Sequence, residues 1–78
     1  MSVFPNPSNG HITLTTDVAI AQISVVNILG ETVYLNAFAQ NERAAQKELD
    51  LGQMPAGVYL VRADLSDGTF ASVRVTIK

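Results

Sequence analysis

The sequence predicts an all-β protein in the form of a small antiparallel sandwich. About six or seven short runs alternate polar and apolar residues, which is the period of a half-buried strand. Turn-forming residues separate these runs at intervals of about 8 to 12 residues, and no segment keeps an apolar stripe at helical spacing. A chain of 78 residues and 8.3 kDa has room for one such domain.

The first strand follows a turn. Residues 5–10 combine two prolines with an Asn-Gly pair, which favours a turn and excludes a central strand. The next residues, His11–Thr16, alternate polar and apolar side chains and are rich in β-branched types. We expect Ile12 and Leu14 to face the core.

A hairpin is predicted next. Residues 21–29 are rich in β-branched types, but the apolar positions change parity after Val25, so either both faces are covered or a bulge intervenes. Leu29-Gly30-Glu31 interrupts this run before the strand-like residues 32–35. This break is typical of the turn between two neighbouring strands.

The middle of the chain leaves two alternatives open. Residues 41–47 could form a short helix on propensity alone, but they lack an apolar stripe, so a polar loop or exposed strand ends are preferred. Leu49 and Leu51 then flank Asp50 with strand-like alternation, and residues 52–57 form another break.

The last third predicts a second hairpin. Strand-like residues 58–65 and 69–78 are separated by a Ser66-Asp67-Gly68 turn, and Val73, Val75 and Ile77 share one parity. Just before this hairpin, Pro55 and Tyr59 have the spacing of the tyrosine corner of Greek-key sandwiches. In that motif the phenol bonds back to the backbone a few residues upstream.

Composition excludes several functional classes. Hydrophobic residues make up 47% of the chain and charged residues 15%, which is typical of a globular protein. A net charge of −2 lacks the basic footprint of a nucleic-acid-binding protein. There is no cysteine for a disulfide, a thiolate nucleophile or a zinc site. We expect no transmembrane span, and no secretory signal peptide at the N-terminus.

Catalytic and metal-binding residues are not predicted. His11 is the single histidine, and we expect a solvent-facing strand residue without a nucleophile or an orienting partner nearby in the sequence. Glu48 with Asp50, and Asp64 with Asp67, are better explained as solvated strand and turn positions than as cation ligands. The sequence therefore predicts neither an enzyme nor a cofactor.

Four segments, taken in order, resemble the type A C-terminal sorting domain of the Bacteroidetes type IX secretion system. They are residues 3–10, 25–33, 51–62 and the closing strand to Lys78, so the resemblance covers nearly the whole chain. It implies an immunoglobulin-like Greek-key β-sandwich of about seven strands. One departure from the family pattern is Val26, where an aromatic residue is usual, at a cost in packing area.

The family resemblance implies a secretion signal. Such a domain directs a cargo protein, attached on its N-terminal side, from the periplasm through the outer-membrane translocon to the cell surface or the medium. A sortase-like peptidase then typically removes it. We expect residues 1–78 to form a single C-terminal sorting domain of a larger secreted protein, and Met1 to be an initiator added when the domain was separated from it.

The resemblance also assigns a recognition motif. Its members in this sequence are Pro5, Asn6, Pro7, Gly10, Asn27, Gly30, Pro55, Gly57, Tyr59, Gly68, Phe70, Val73, Val75 and Lys78. The prolines and glycines have sufficient backbone reasons to be what they are, so we expect them to act through the conformation that they impose. The surface candidates for direct recognition are Arg74 and Lys78 of the last strand, with the terminal carboxylate.

Two other functions remain open on the sequence alone. A β-sandwich adhesion or carbohydrate-binding module would present two or three exposed aromatic side chains, whereas we expect most of the five aromatic residues here to be needed inside. The test is whether Phe4, Tyr34 and Phe38 form a platform on one face. A structural spacer domain is less favoured, because a spacer should continue beyond Lys78.

Overall fold

The computed structural model describes residues 1–5 and 9–78 and shows an all-β, antiparallel protein. The described residues form six strands where the sequence predicted about seven, and the predicted fold class is confirmed. The strands are β1 Ser2–Phe4, β2 His11–Val26, β3 Thr32–Ala37, β4 Ala44–Asp50, β5 Gly57–Leu65 and β6 Phe70–Ile77, with a short 3-10 turn at Gln40–Glu42. None of the helical structure described is long and apolar enough to cross a membrane.

The long strand β2 organises the fold because its two halves have different neighbours. Its first half pairs with β1 on one side and β4 on the other. Its second half pairs with β3 and β5, and β6 extends this layer beyond β5. The register shifts between Thr15 and Gln22, where β2 passes from one set of partners to the other. This pairing is compatible with the predicted immunoglobulin-like Greek-key sandwich.

The core collects the inward-facing side chains of β2, β4, β5 and β6. The predictions that Ile12 and Leu14 face the core are confirmed, as is the burial of Leu49 and Leu51 on either side of Asp50. Each fully buried aliphatic side chain contributes about 1.5–3 kcal/mol relative to an exposed one. The buried set is Ile12, Leu14, Ile20, Ile23, Val25, Leu49, Leu51, Tyr59, Val61, Ala63, Val75 and Ile77.

Both predicted hairpins are present. The change of parity after Val25 corresponds to a bulge, because the β2–β3 register shifts between Val25 and Val26. In the middle segment, the preference for exposed strand ends over a helix is confirmed by β4, although the 3-10 turn at Gln40–Glu42 was not predicted. That turn is closed locally, since the Glu42 amide donates to the Ala39 carbonyl.

Candidate functional site

Segments far apart in the sequence meet at one end of the layer formed by β3, the second half of β2, β5 and β6. Val26 at the end of β2 pairs with Leu60 near the start of β5. Gly57, the first residue of β5, pairs with Ile77 at the end of β6. The turn after β2, the loop before β5 and the end of β6 are therefore neighbours. We call this region the corner end; it comprises residues 26–31, 52–60 and 74–78.

Gly10 joins the opening segment to the corner end. It is buried with a φ of +107°, a conformation that side chains rarely adopt. Its carbonyl accepts a hydrogen bond of 2.7 Å from the Leu51 amide. A Cβ atom at this position would lie 2.6 Å from the Gly52 nitrogen and Cα. Glycine is thus required by both the backbone conformation and the close approach of the two chain segments.

Tyr59 forms the predicted tyrosine corner. Its ring is buried, and its hydroxyl donates a hydrogen bond of 2.5 Å to the Pro55 carbonyl, four residues upstream. The Met54 amide donates to the Leu51 carbonyl at 2.9 Å, which closes the same loop from within. The corner loop is therefore attached both to β5 and to itself.

Asn27 holds the turn after β2. Its side-chain oxygen accepts hydrogen bonds of 3.0 Å from the Leu29 and Glu31 amides, and its side-chain nitrogen donates to the Glu31 carboxylate at 3.0 Å. The Asn27 carbonyl also accepts from the Gly30 amide. Gly30 has a φ of +82°, in the left-handed region that glycine adopts at little cost. Both residues have a local backbone role.

Comparison with known proteins identifies the family of the chain. The family model described as the secretion system C-terminal sorting domain matches residues 2–78. The chain belongs to this family. The sorting domain is thus a C-terminal secretion signal of the type IX system, which operates with a translocon and a cargo on its N-terminal side. It marks that cargo for the cell surface or for release. A search of curated proteins returned no match.

The remaining residues of the predicted motif lie along β6 and in the turn before it. Val73 and Val75 are on the inner face of β6, where Val75 is fully buried and Val73 packs against the core. Gly68 lies in the β5–β6 turn, and Phe70 begins β6. Because this turn is at the opposite end of the layer, the structure separates these two residues from Asn27 and Tyr59.

The two ends of the predicted motif are exposed. Pro5 follows β1, and Lys78 follows β6 at the corner end. Asn6 and Pro7 lie outside the described residues. Val26, where the family pattern usually has an aromatic residue, is half-buried and pairs with Leu60. Its neighbour Val25 belongs to the core.

The titratable residues are largely at the surface. His11 is exposed, as predicted, but β4 places Asp50 opposite it, with 3.6 Å between Nε2 and the carboxylate. Pairing across strands brought this acid to the histidine, so sequence spacing could not reveal it. The hydroxyl and amide of Thr69 donate to Asp67 and lower the pKa of that carboxyl. Among the described residues no cluster of three or more acidic or histidine side chains could hold a metal ion.

The expectation that most aromatic residues are needed inside holds for three of the five. Tyr59 is buried, whereas Tyr34 and Phe38 are half-buried against the core and Phe4 and Phe70 are 51% and 60% exposed. The exposed Phe70 ring makes a cation–π contact, because the Arg62 guanidinium lies 4.1 Å from the centre of the ring. Phe4 and Phe70 lie in the edge strands β1 and β6, and this position explains why both rings are exposed.

Sequence reasoning also missed a group of exposed aliphatic side chains at the corner end. Ile28 and Leu29 at the hairpin tip are 81% and 78% exposed, and Leu60 is 45% exposed. The available signal was that β5 carries apolar residues on both parities, since Val58 and Leu60 alternate with the buried Tyr59. A strand with one face in the core does not require apolar residues on its other face.

Proposed function

We propose that residues 1–78 act as one C-terminal sorting domain that carries an N-terminally attached cargo out of the periplasm through the outer-membrane translocon. A sortase-like peptidase then removes the domain during release or surface attachment. The observation that carries this proposal is the family match over residues 2–78.

The signal would be read from the folded domain. Gly10, Asn27, Gly30 and Tyr59 all build backbone conformation at or next to the corner end. The translocon would then recognise the surface that these motif residues shape, and not the residues one by one. A linear signal would need neither a buried glycine nor a tyrosine that bonds to the backbone.

The sorting domain is not proposed to be an enzyme. His11 and Asp50 form a pair at the surface, with side chains that are 74% and 67% exposed. General acid–base catalysis needs a group held within reach of a substrate, usually in a water-excluding site. A surface pair across two strands supplies neither requirement.

The test is a fluorescent reporter with an N-terminal export signal, followed by residues 3–78, in a Bacteroidetes host with and without a working type IX translocon. We expect the reporter at the surface or in the medium only when both the domain and the translocon are present. A reporter that stays in the periplasm of the translocon-competent host, while the domain is folded, would contradict the proposal.

Truncation of the C-terminus then tests where the signal is read. Removing Lys78 deletes an exposed residue, whereas removing Ile77 as well deletes a core side chain that is only 3% exposed. If the terminus itself is recognised, loss of Lys78 alone should reduce export without changing the melting temperature. If the fold is recognised, export should fall only with the second deletion, together with stability.

A further inference from the structure

The outer surface of the corner end carries an apolar patch. In antiparallel pairing, directly opposed residues point to the same face of the sheet, so Val26, Leu60 and Arg74 share one face. Val58 and its partner Thr76 lie on this same face, because Val58 is two residues from Leu60 on β5. The opposite face holds the buried core positions of the same strands. Leu60 and Val58 are therefore apolar side chains on the solvent side of the layer, 45% and 39% exposed.

The hairpin tip lies at the same end of the layer, two residues beyond the Val26–Leu60 pair. Ile28 and Leu29 directly follow β2 and are the most exposed large aliphatic side chains among the described residues. They are held in place, because Asn27 fixes the turn on both sides of them through hydrogen bonds to Leu29 and Glu31. A turn whose backbone is already fixed loses little backbone entropy when a partner covers it.

Basic residues border the patch. Arg74 pairs with Leu60 across the sheet, and Lys78 follows at the same parity of β6. The acid nearest in the sequence, Glu31, has its carboxylate bonded to the Asn27 side chain. Glu31 keeps its negative charge beside the tip, so the positive charge of the border lies on its β6 side, at Arg74 and Lys78, in a domain with a net charge of −2. Such a surface is complementary to an apolar surface with carboxylates around it.

We propose that this patch, formed by Val58, Leu60 and the Ile28–Leu29 tip, docks a protein of the secretion machinery whose own surface is apolar with an acidic rim. This inference rests on the proposed function. Contiguous exposed apolar side chains with a polar border mark protein contact sites.

A protein partner fits the patch better than two other occupants. A second copy of the domain in a two-fold contact would bring the basic borders of both copies into one interface. A membrane surface is usually held by clusters of four to eight basic residues, whereas two border this patch. Both alternatives are outcomes of the experiment below.

The experiment uses the reporter fusion and changes the patch in two independent places. Leu29→Ser alters the exposed tip, and Leu60→Thr keeps a strand-forming residue on β5 while removing apolar surface. Each should lower the export rate about tenfold at limiting expression, the effect of losing one well-buried contact residue. The control is Phe4→Thr, which removes a 51% exposed aromatic from β1 in the other layer and should leave export unchanged.

The outcomes separate this inference from the proposed function. If the unaltered fusion is not exported by the working translocon, the proposed function fails and the docking inference falls with it. If the unaltered fusion is exported and both variants are exported as fast as the unaltered fusion, the docking inference alone is overturned. Equal losses in both variants and in Phe4→Thr would also overturn it. Melting temperatures of the purified domains show whether each variant is folded. If Leu60→Thr weakens the fold, Leu29→Ser still tests the patch, because it changes an exposed turn residue.

Two measurements on the purified domain test the other occupants. If the domain sediments as a dimer and its Leu29→Ser variant as a monomer, the patch is assigned to a second copy of the domain. Binding to vesicles of anionic phospholipid that Leu60→Thr abolishes would assign it to a membrane. Either result would overturn the proposal of a protein partner. A domain that is monomeric and does not bind the vesicles supports it.

Discussion

The contact between Gly10 and Gly52 offers the most direct test of the structure. We expect Gly10→Ala to destabilise the domain more than any other alanine substitution of its glycines. The positive φ of +107° costs about 1–3 kcal/mol for a residue with a side chain. The new Cβ would also meet backbone atoms at 2.6 Å, and forcing such a contact into a packed region costs about 1–3 kcal/mol.

The expected loss is a large share of the total stability. A 78-residue domain has an unfolding free energy of about 4–12 kcal/mol, so a loss of about 2–6 kcal/mol can leave it half unfolded. Urea denaturation followed by circular dichroism measures the loss as a fall in the midpoint at constant slope. With a slope near 1 kcal/mol/M, the midpoint should fall by about 2 M or more.

Two other glycines provide matched controls. Gly30 has a φ of +82°, but a Cβ atom there would have no other heavy atom within 4 Å, so Gly30→Ala should cost only the backbone term of about 1–2 kcal/mol. In Gly52→Ala the new atom would approach only the end of the Asp50 side chain, at 3.1 Å, and the cost should be about 0.5 kcal/mol or less. If Gly10→Ala costs no more than Gly30→Ala, the close approach is wrong.

Three further predictions concern the corner, the tip and the last turn. Tyr59→Phe removes the hydrogen bond to Pro55 and should cost about 0.5–1.5 kcal/mol in urea denaturation; an unchanged midpoint would show that this bond does not stabilise the corner. Asn27→Ala should speed amide hydrogen exchange in the β2–β3 turn at least tenfold, while the β5–β6 amides keep their protection. Because the pKa of Asp67 is lowered by Thr69, its contribution to stability is present above the ordinary value of 3.8 and is lost as pH falls through the lower folded value. Between pH 5 and 2 the native domain should therefore lose stability relative to Asp67→Asn, and parallel pH profiles would contradict this.

Local patterns were sufficient to predict most of the elements. The alternation of Ile12 with Leu14, and of Val73 with Val75, predicted both the strands and their core-facing sides, because the period of a strand is a property of the backbone. Turn chemistry predicted the break at Gly30 for the same local reason. The spacing of Pro55 and Tyr59 predicted a hydrogen bond that the structure contains.

Predictions failed where the answer depended on more than one strand. The pairing of His11 with Asp50 arises from the register of β2 with β4, and no local pattern encodes that register. The sequence also did not show which aromatic residues are exposed, because hydrophobicity indicates only that burial is favourable and the edge position of a strand decides whether it is possible.

The sequence by itself therefore determined the all-β class, the two hairpins, the core-facing residues and the family, since each depends on short-range patterns or on the order of motifs. Tertiary structure alone decided that Gly10 closes onto Gly52 and that Val26, just before the hairpin tip, pairs with Leu60. It also decided that Val58 and Leu60 on the outer face of β5 are 39% and 45% exposed. The physical reason is that strand pairing joins residues according to register, and register is fixed by the packing of the whole core.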